Sequence, residues 1–150
     1  MLIRFTMLLS AVFFTACAHN KVEYGSNAVA QNEKSGESLH VQALWLKNKK
    51  DKVDVNLRLR NDYKQSVTIK FNEILLEHAG ERGNLLHPSG GMLELTSGET
   101  QERVFIFRFF SGKLRSAPAK LTIKVSEGPM ENYGKKMLQP LVLDLPADTK

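Results

Sequence analysis

Side chains able to carry out catalysis are few in this sequence and are not arranged for it. Nucleophilic catalysis needs a serine or cysteine beside a base, yet there is no G-x-S-x-G motif, and the single cysteine, Cys17, has no histidine in a recognised catalytic pattern. Gly80 and Gly83 are too closely spaced for a phosphate-binding loop and predict a turn. The sequence predicts that the protein is not an enzyme and needs no cofactor, with a small hydrolase lacking a recognisable motif as an alternative.

A metal site is the next chemistry to consider. His78 and His87 flank a loop, and exported β-sandwich copper carriers combine histidine with methionine ligands. The other candidate donors are Glu77, Glu81, Met92, Met130 and Met137. No H-x-x-x-H, H-E-x-x-H or H-x-M spacing occurs, so the pattern favours surface histidines and gap-filling methionines, and we assign no metal ligand. A periplasmic copper-type carrier stays an alternative.

The first sixteen residues have the layout of a secretory leader. Arg4 is followed by an uncharged, mostly apolar run of twelve residues that ends in small residues at Ala16. A helix needs about 20 apolar residues to cross the hydrocarbon of a bilayer, so a permanent transmembrane anchor is not predicted. A buried helix of the folded domain is the alternative interpretation of this segment.

Phe14-Thr15-Ala16-Cys17 resembles the lipobox of bacterial lipoproteins, although Phe14 departs from the commoner leucine. The resemblance implies cleavage between Ala16 and Cys17, a diacylated Cys17 sulfur and a third acyl chain on the new amine. Two or more acyl chains hold a protein stably at a membrane. We therefore expect a lipid-anchored protein of the cell envelope that faces the periplasm, and the lack of Asp at position 18 favours the outer membrane. A plain signal peptide that leaves a free thiol is the alternative.

The remaining chain divides into a tether, a domain and a tail. Residues 17–37 are rich in Asn, Ser, Gly and Lys and predict a lipidated N-terminus and flexible tether, whose coil of about 20 residues would span roughly 25 Å. Residues 38–146 form the predicted domain, and 147–150 form a C-terminal tail. The lone cysteine excludes an intrachain disulfide within the domain.

From Leu39 onward the dominant hydrophobic period is two, which indicates strands with one buried face. The clearest strands are 53–60, 67–71 and 121–125, and less regular ones are expected at 39–47, 91–96, 101–110 and 141–145. About seven short strands without a helical period predict an all-β fold, an antiparallel two-sheet sandwich with Trp45 in the core between the sheets. A small barrel is the alternative.

The order of these features also resembles the immunoglobulin-like domains of small envelope lipoproteins of unknown function. The likeness rests on an alternating strand that ends at Asn61, a polar loop over 77–84, and Leu95-Thr96-Ser97-Gly98-Glu99 before the aromatic run Val104-Phe105-Ile106-Phe107. It implies an immunoglobulin-like sandwich, and it implies no activity.

Two surfaces are candidates for contact with other molecules. In the strand 104–110, Phe105, Phe107 and Phe109 face one side while Val104, Ile106 and Phe110 face the other, so both faces are apolar. The second face is either covered by the segment 127–140 or left open to bind another envelope protein. The polar faces of the strands form the second candidate contact surface.

This second surface contains Arg58 and Arg60, which alternate with aliphatic residues along their strand. They predict either a solvated sheet face or a contact with anionic lipid or an acidic envelope polymer. Interspersed acids argue against a nucleic-acid partner. Taken together, the sequence predicts a lipid-anchored, non-catalytic binding or assembly module whose oligomeric state it does not determine.

Overall fold

The computed structural model describes residues 21–23, 27–31, 36–49, 51–110 and 119–145. Ten strands form in chain order: β1 (Lys21–Glu23), β2 (Asn27–Gln31), β3 (Ser38–Asn48), β4 (Lys52–Asn61), β5 (Val67–His78), β6 (Glu81–His87), β7 (Met92–Leu95), β8 (Thr100–Arg108), β9 (Ala119–Glu127) and β10 (Leu141–Leu145). A single 3₁₀ turn, Met130–Asn132, lies between β9 and β10. The described residues contain no α-helix, so the predicted all-β class is confirmed.

All strand pairs are antiparallel, and they join into one sheet. The order across it is β1-β3-β4-β8-β6-β5-β9-β10, with β2 also paired to β3 and β7 also paired to β5. Strand β6 is the link, because one of its edges bonds to β8 and the other to β5. The sheet curls until β10 approaches β2 and β3, which makes the domain nearly barrel-shaped.

The core lies inside this curl and is supplied by the inward side chains of the alternating strands. In β4 the aliphatic residues Val53, Val55, Leu57 and Leu59 are each at most 2% exposed. Burying such a side chain contributes about 1.5–3 kcal/mol, and a strand presents every second residue to the same face. The alternation visible in the sequence therefore determines which face of each strand points inward.

The aromatic strand β8 supplies the largest inward side chains. Phe105, Phe107 and the following Phe109 are at most 1% exposed. The ring of Phe105 meets that of Phe71 edge to face, with 6.0 Å between centroids, which is a favoured aromatic geometry. Gly83 of β6 lies against this layer, since a Cβ there would come within 2.6 Å of Phe109 Cζ. A residue without a side chain is needed at that point.

The expectation that Trp45 lies in the core is wrong. The pairing of β3 with β4 shifts between Ala43 and Trp45, so Leu44 is an extra residue and a β-bulge forms. One inserted residue reverses the side to which later side chains point. Trp45 is therefore half-buried on the outer face, opposite Asn56, while Leu46 takes the inward position at 5% exposure.

Three strands form where the sequence indicates none. Residues 21–23 and 27–31 pair with β3 although a flexible tether is predicted there, so these eight residues are not free coil. Strand β6 replaces part of the polar loop expected over 77–84. In each case backbone hydrogen bonds to a neighbouring strand form the ladder, and these do not require an apolar period.

The domain has two ends, which we name for one residue each. At the Phe110 end β3 and β10 finish, β4 and β9 begin, β5 turns into β6, and β8 leads into Phe110. At the Asn61 end β3 begins, β4 finishes, and β7 turns into β8.

Asn61 organises its end of the domain from a fully buried position. Its Nδ2 donates to the carbonyl oxygens of Gln65, Leu95 and Thr96 at 2.9, 2.9 and 3.1 Å. Its Oδ1 accepts the backbone N–H of Tyr63 at 2.9 Å. One side chain therefore joins β4, the turn after it, and the end of β7.

Several predictions concern residues outside the described ranges. The leader 1–16, the cleavage point between Ala16 and Cys17, and the tail 147–150 all lie there. Among the described residues, no helix has the length and apolar character needed to cross a membrane.

Candidate binding surface

The outer face of β3, β4 and β8 divides into two rows of half-buried side chains and a charged region. In the first row Trp45, Asn56 and Val104 stand side by side on the three strands, as the strand register shows. In the second row Lys47, Asp54 and Ile106 do the same. Neighbouring strands lie about 4.8 Å apart, so the members of each row are in contact distance. We call these six residues the two-row patch.

Polar residues at the centre of the two-row patch are unusually buried for an outer face. Asp54 is 7% exposed and Asn56 is 9% exposed. Lys49 Nζ lies 2.6 Å from Asp54 Oδ2, while Asp54 Oδ1 has no hydrogen-bond partner among the described residues. A buried polar atom without a partner costs about 1–3 kcal/mol, so the patch retains an unmet capacity to accept a hydrogen bond.

The charged region of the same face lies towards the Asn61 end, and its charges are paired. Arg58 donates from Nε and Nη2 to Glu102 Oε1 at 2.8 and 2.6 Å. Arg60 donates in the same way to Asp62 Oδ2 at 3.0 and 2.6 Å, and His40 Nε2 lies 3.2 Å from that oxygen. The predicted anion-contact residues therefore share one face, but each already faces a carboxylate that an anion would have to displace.

The predicted partner surface does not remain a single patch. Val104 and Ile106 are half-buried within the two-row patch, whereas Phe110 lies beyond the end of β8 and is 79% exposed. The alternative expectation was cover by the segment 127–140. Its described contacts run elsewhere, to Ser66 and Glu73 of the β5 side and to Glu94 of β7.

An open pocket of about 370 Å³ lies at the Phe110 end, between β5, β9 and β10. Its lining comprises Glu77, His78, Ala79, Gly80, Ala119, Lys120 and Asp144. A pocket holding a histidine and carboxylates is the feature that a hydrolase would need, yet none of the described lining residues carries a hydroxyl or thiol nucleophile. The hydrolase stays an alternative without a nucleophile of that kind in this pocket.

His78 is the unusual residue of this pocket. It is 6% exposed, and its Nε2 has no hydrogen-bond partner among the described residues. Its ring meets that of Phe109 edge to face at 6.1 Å between centroids. The sequence marks His78 as a candidate metal donor and leaves open whether 72–78 extends or bends the strand 67–71, so it does not show that His78 is buried at the end of β5.

The two candidate histidine ligands, His78 and His87, lie far apart in the fold. His78 lies beside Glu81 at the first residue of β6, and His87 is the last residue of that strand. Six residues of strand separate Glu81 from His87, which is about 20 Å. Among the described residues, no group of three or more His, Cys, Asp or Glu side chains is placed to hold a metal ion.

A second polar cluster lies on the outer face of β5. Tyr133 donates from its hydroxyl to Glu73 Oε2 at 2.9 Å, and Lys70 Nζ lies 5.8 Å from the centre of the tyrosine ring. Partial burial, the hydrogen bond to Glu73 and the negative charge of Glu73 raise the pKa of Tyr133 to about 12. The cluster fastens the loop after β9 to the sheet.

Comparison of the chain with models of protein families, with curated proteins and with solved structures gave no match.

Proposed function

We propose that the protein is a lipid-anchored, non-catalytic module of the bacterial envelope that binds another envelope component through the two-row patch. The observation that carries the binding role is the pair of half-buried apolar side chains, Val104 and Ile106, beside the buried polar groups of Asn56 and Asp54. Apolar area around a small number of polar groups, one of which still has a free acceptor in Asp54 Oδ1, is the composition of a protein contact surface.

The anchoring role is supported by the sequence of the N-terminus. The apolar run 5–16 and the lipobox-like Phe14-Thr15-Ala16-Cys17 favour cleavage before Cys17 and acylation of its sulfur. The proposed location follows from this, with the domain facing the periplasm from the outer membrane. An immunoglobulin-like sandwich remains part of the proposal, supported by the two layers β3-β4-β8 and β5-β9-β10 on either side of the core.

Mass spectrometry of the mature protein from its native host tests the anchor. We expect an N-terminal Cys17 that carries diacylglycerol, and we expect a Cys17→Ser variant to leave the membrane fraction. A mature chain with an unmodified thiol, or one that still begins at Met1, would contradict the anchor and leave the binding role to be judged separately.

Site-specific crosslinking in intact cells tests the binding role. A photoreactive residue placed at Ile106 should give a discrete adduct with one envelope component, because that side chain lies in the two-row patch. The matched control is Lys124, which is exposed on the outer face of β9. Adducts of the same kind from both positions, or none from position 106, would argue against the patch as a binding surface.

A further inference from the structure

The chain enters the domain at the Phe110 end. Strand β1 pairs antiparallel with the last part of β3, and its first residue, Lys21, lies opposite Lys47. Lys47 is the next-to-last residue of β3 and lies opposite Asp54, close to the start of β4. Strand β1 therefore begins at this end of the domain and not at the Asn61 end.

The covalent chain restricts how far Cys17 can lie from this end. Lys21 is four positions after Cys17, and an extended chain spans at most about 3.5 Å per position, or about 14 Å in total. A twenty-residue tether would have allowed the domain to stand clear of the bilayer in any orientation. With the pairing of β1, an acylated Cys17 holds one particular end of the domain near the lipid surface.

The surface at that end is suited to a lipid interface. Phe110 is the most exposed of the large apolar side chains in the described ranges, at 79%. Its backbone is fixed, since its N–H donates to the Glu81 carboxylate and the N–H of Phe109 donates to the carbonyl oxygen of Asp51. The ring therefore projects from a rigid point of the fold.

Cations accompany the exposed ring at the same corner. Lys52 and Arg108 are cross-strand neighbours, and Lys49 lies at the end of β3. The acids at this end are Asp51 and Asp54, paired with Arg108 and Lys49 respectively, Glu81, which accepts the Phe110 N–H, and Glu77 and Asp144 of the pocket. Long basic side chains reach anionic headgroups, and an exposed apolar ring gains free energy where it enters the boundary between headgroups and acyl chains.

We propose that the Phe110 end lies against the membrane that holds Cys17, with the Phe110 ring inserted among the lipid headgroups. The orientation rests on the proposed lipid anchor. The two-row patch then faces sideways along the membrane surface, and the hydrogen-bonded Asn61 end points away from it.

Fluorescence quenching on the lipidated protein tests this orientation. The sequence has one cysteine, and acylation removes its free thiol, so a Phe110→Cys substitution provides a unique labelling site. The matched control is Met137→Cys, since Met137 is also an exposed apolar residue, at 45%, but lies near the Asn61 end through its pairing with Ser126. Both labelled proteins are bound to vesicles of phosphatidylethanolamine and phosphatidylglycerol that contain lipids brominated near the headgroup.

We expect strong loss of fluorescence from the label at position 110 and none above background at position 137. Flotation of the vesicles measures the anchor independently. A protein that floats with the vesicles but shows no quenching at position 110, or equal quenching at both positions, would overturn the orientation and leave the anchor intact. If the protein isolated from its host carries no lipid and does not float, both the anchor and the orientation are overturned. Thermal unfolding of each labelled protein verifies that it is folded.

Discussion

The two ends of the domain treat their buried polar groups in opposite ways. At the Asn61 end, one buried amide makes four hydrogen bonds, and the two oxygens of the buried Glu127 carboxylate lie 2.7 and 2.6 Å from Lys136 Nζ. At the Phe110 end, His78 Nε2 and Asp54 Oδ1 have no partner within the described part of the chain. Native proteins satisfy nearly all buried polar groups, and exceptions concentrate where a surface has a task other than stability.

The Asn61 end and the Phe110 end therefore contribute differently to stability and to surface properties. The Asn61 end closes the sheet and fixes the register of β4 and β7, so it contributes mainly to the free energy of folding. The Phe110 end leaves a large ring exposed and an open pocket beside it, which costs stability. Substitutions at the two ends should therefore change the free energy of unfolding by different amounts.

Asn61→Ala should destabilise the domain most. The substitution removes one side chain that donates to three carbonyl oxygens and accepts from Tyr63 N–H, all in a buried region. Leaving these groups unpaired should lower the free energy of unfolding by about 3 kcal/mol. Urea denaturation of the unlipidated Cys17→Ser chain, with and without the substitution, measures the loss. Replacement of the exposed neighbour Asp62 by alanine is the control, and a similar loss there would contradict the special role of Asn61.

His78→Phe should have the opposite sign. Phenylalanine keeps the edge-to-face contact with Phe109 and removes a buried nitrogen that lacks a hydrogen-bond partner. We expect the free energy of unfolding to rise by about 1 kcal/mol. His87→Phe on the exposed end of β6 serves as the control and should not stabilise the domain. Marked destabilisation by His78→Phe would show that the imidazole has a partner after all.

Tyr133 should make stability depend on pH in the alkaline range. Its pKa is raised from 10.0 to about 12 in the folded protein, so the folded state holds this proton more tightly than the unfolded state does. The resulting stability is complete below pH 10 and is lost as the pH rises from about 10 to about 12.

Absorbance titration of tyrosinate provides the measurement for this prediction. The Tyr133→Phe variant should lose the ionisation near pH 12, and its stability should fall less steeply over that interval. Burial and the charges of Glu127 and Glu37 also raise the pKa of Tyr63, so a residual slope from that residue is expected. Loss of an ionisation near pH 10, in place of one near pH 12, would contradict the contact between Tyr133 and Glu73.

Breaking the pair of Arg58 and Glu102 should have the smallest effect. Both side chains are nearly half exposed, and ion pairs of this kind contribute about 0.2–1 kcal/mol or less. Arg58→Ala and Glu102→Ala, together with the double variant, form a cycle that isolates the pair energy. A pair energy well above 1 kcal/mol would show that exposed charges, and not only buried hydrogen bonds, stabilise the Asn61 end.

Much of the fold was predictable from the sequence because burial follows alternation. All seven predicted strands are present, six of them within two residues of their expected bounds, while β5 continues seven residues beyond Phe71. An apolar side chain at every second position has one stable way to leave water. The same reasoning identified Phe105, Phe107 and Phe109 as one face of β8, and these are fully buried.

The candidate site was less predictable because it depends on events that leave no local period. The bulge at Leu44 turned Trp45 outward, and cross-strand register placed it beside Asn56 and Val104. Backbone pairing also converted parts of a polar stretch into β1 and β2, although their sequence has no sustained apolar pattern.

The alternation of side chains is enough to predict the all-β class and the inward face of the main strands. The apolar run that precedes Cys17 can be read directly from the sequence. The three-dimensional fold adds that Arg58 and Arg60 are paired, that His78 at the end of β5 and His87 at the end of β6 lie far apart, and that β1 begins at the Phe110 end. The reason is the separation along the chain of the residues that interact. Side-chain alternation is a property of neighbouring residues, whereas ion pairs, ligand sets and chain direction depend on residues that are distant in sequence and meet only through sheet register.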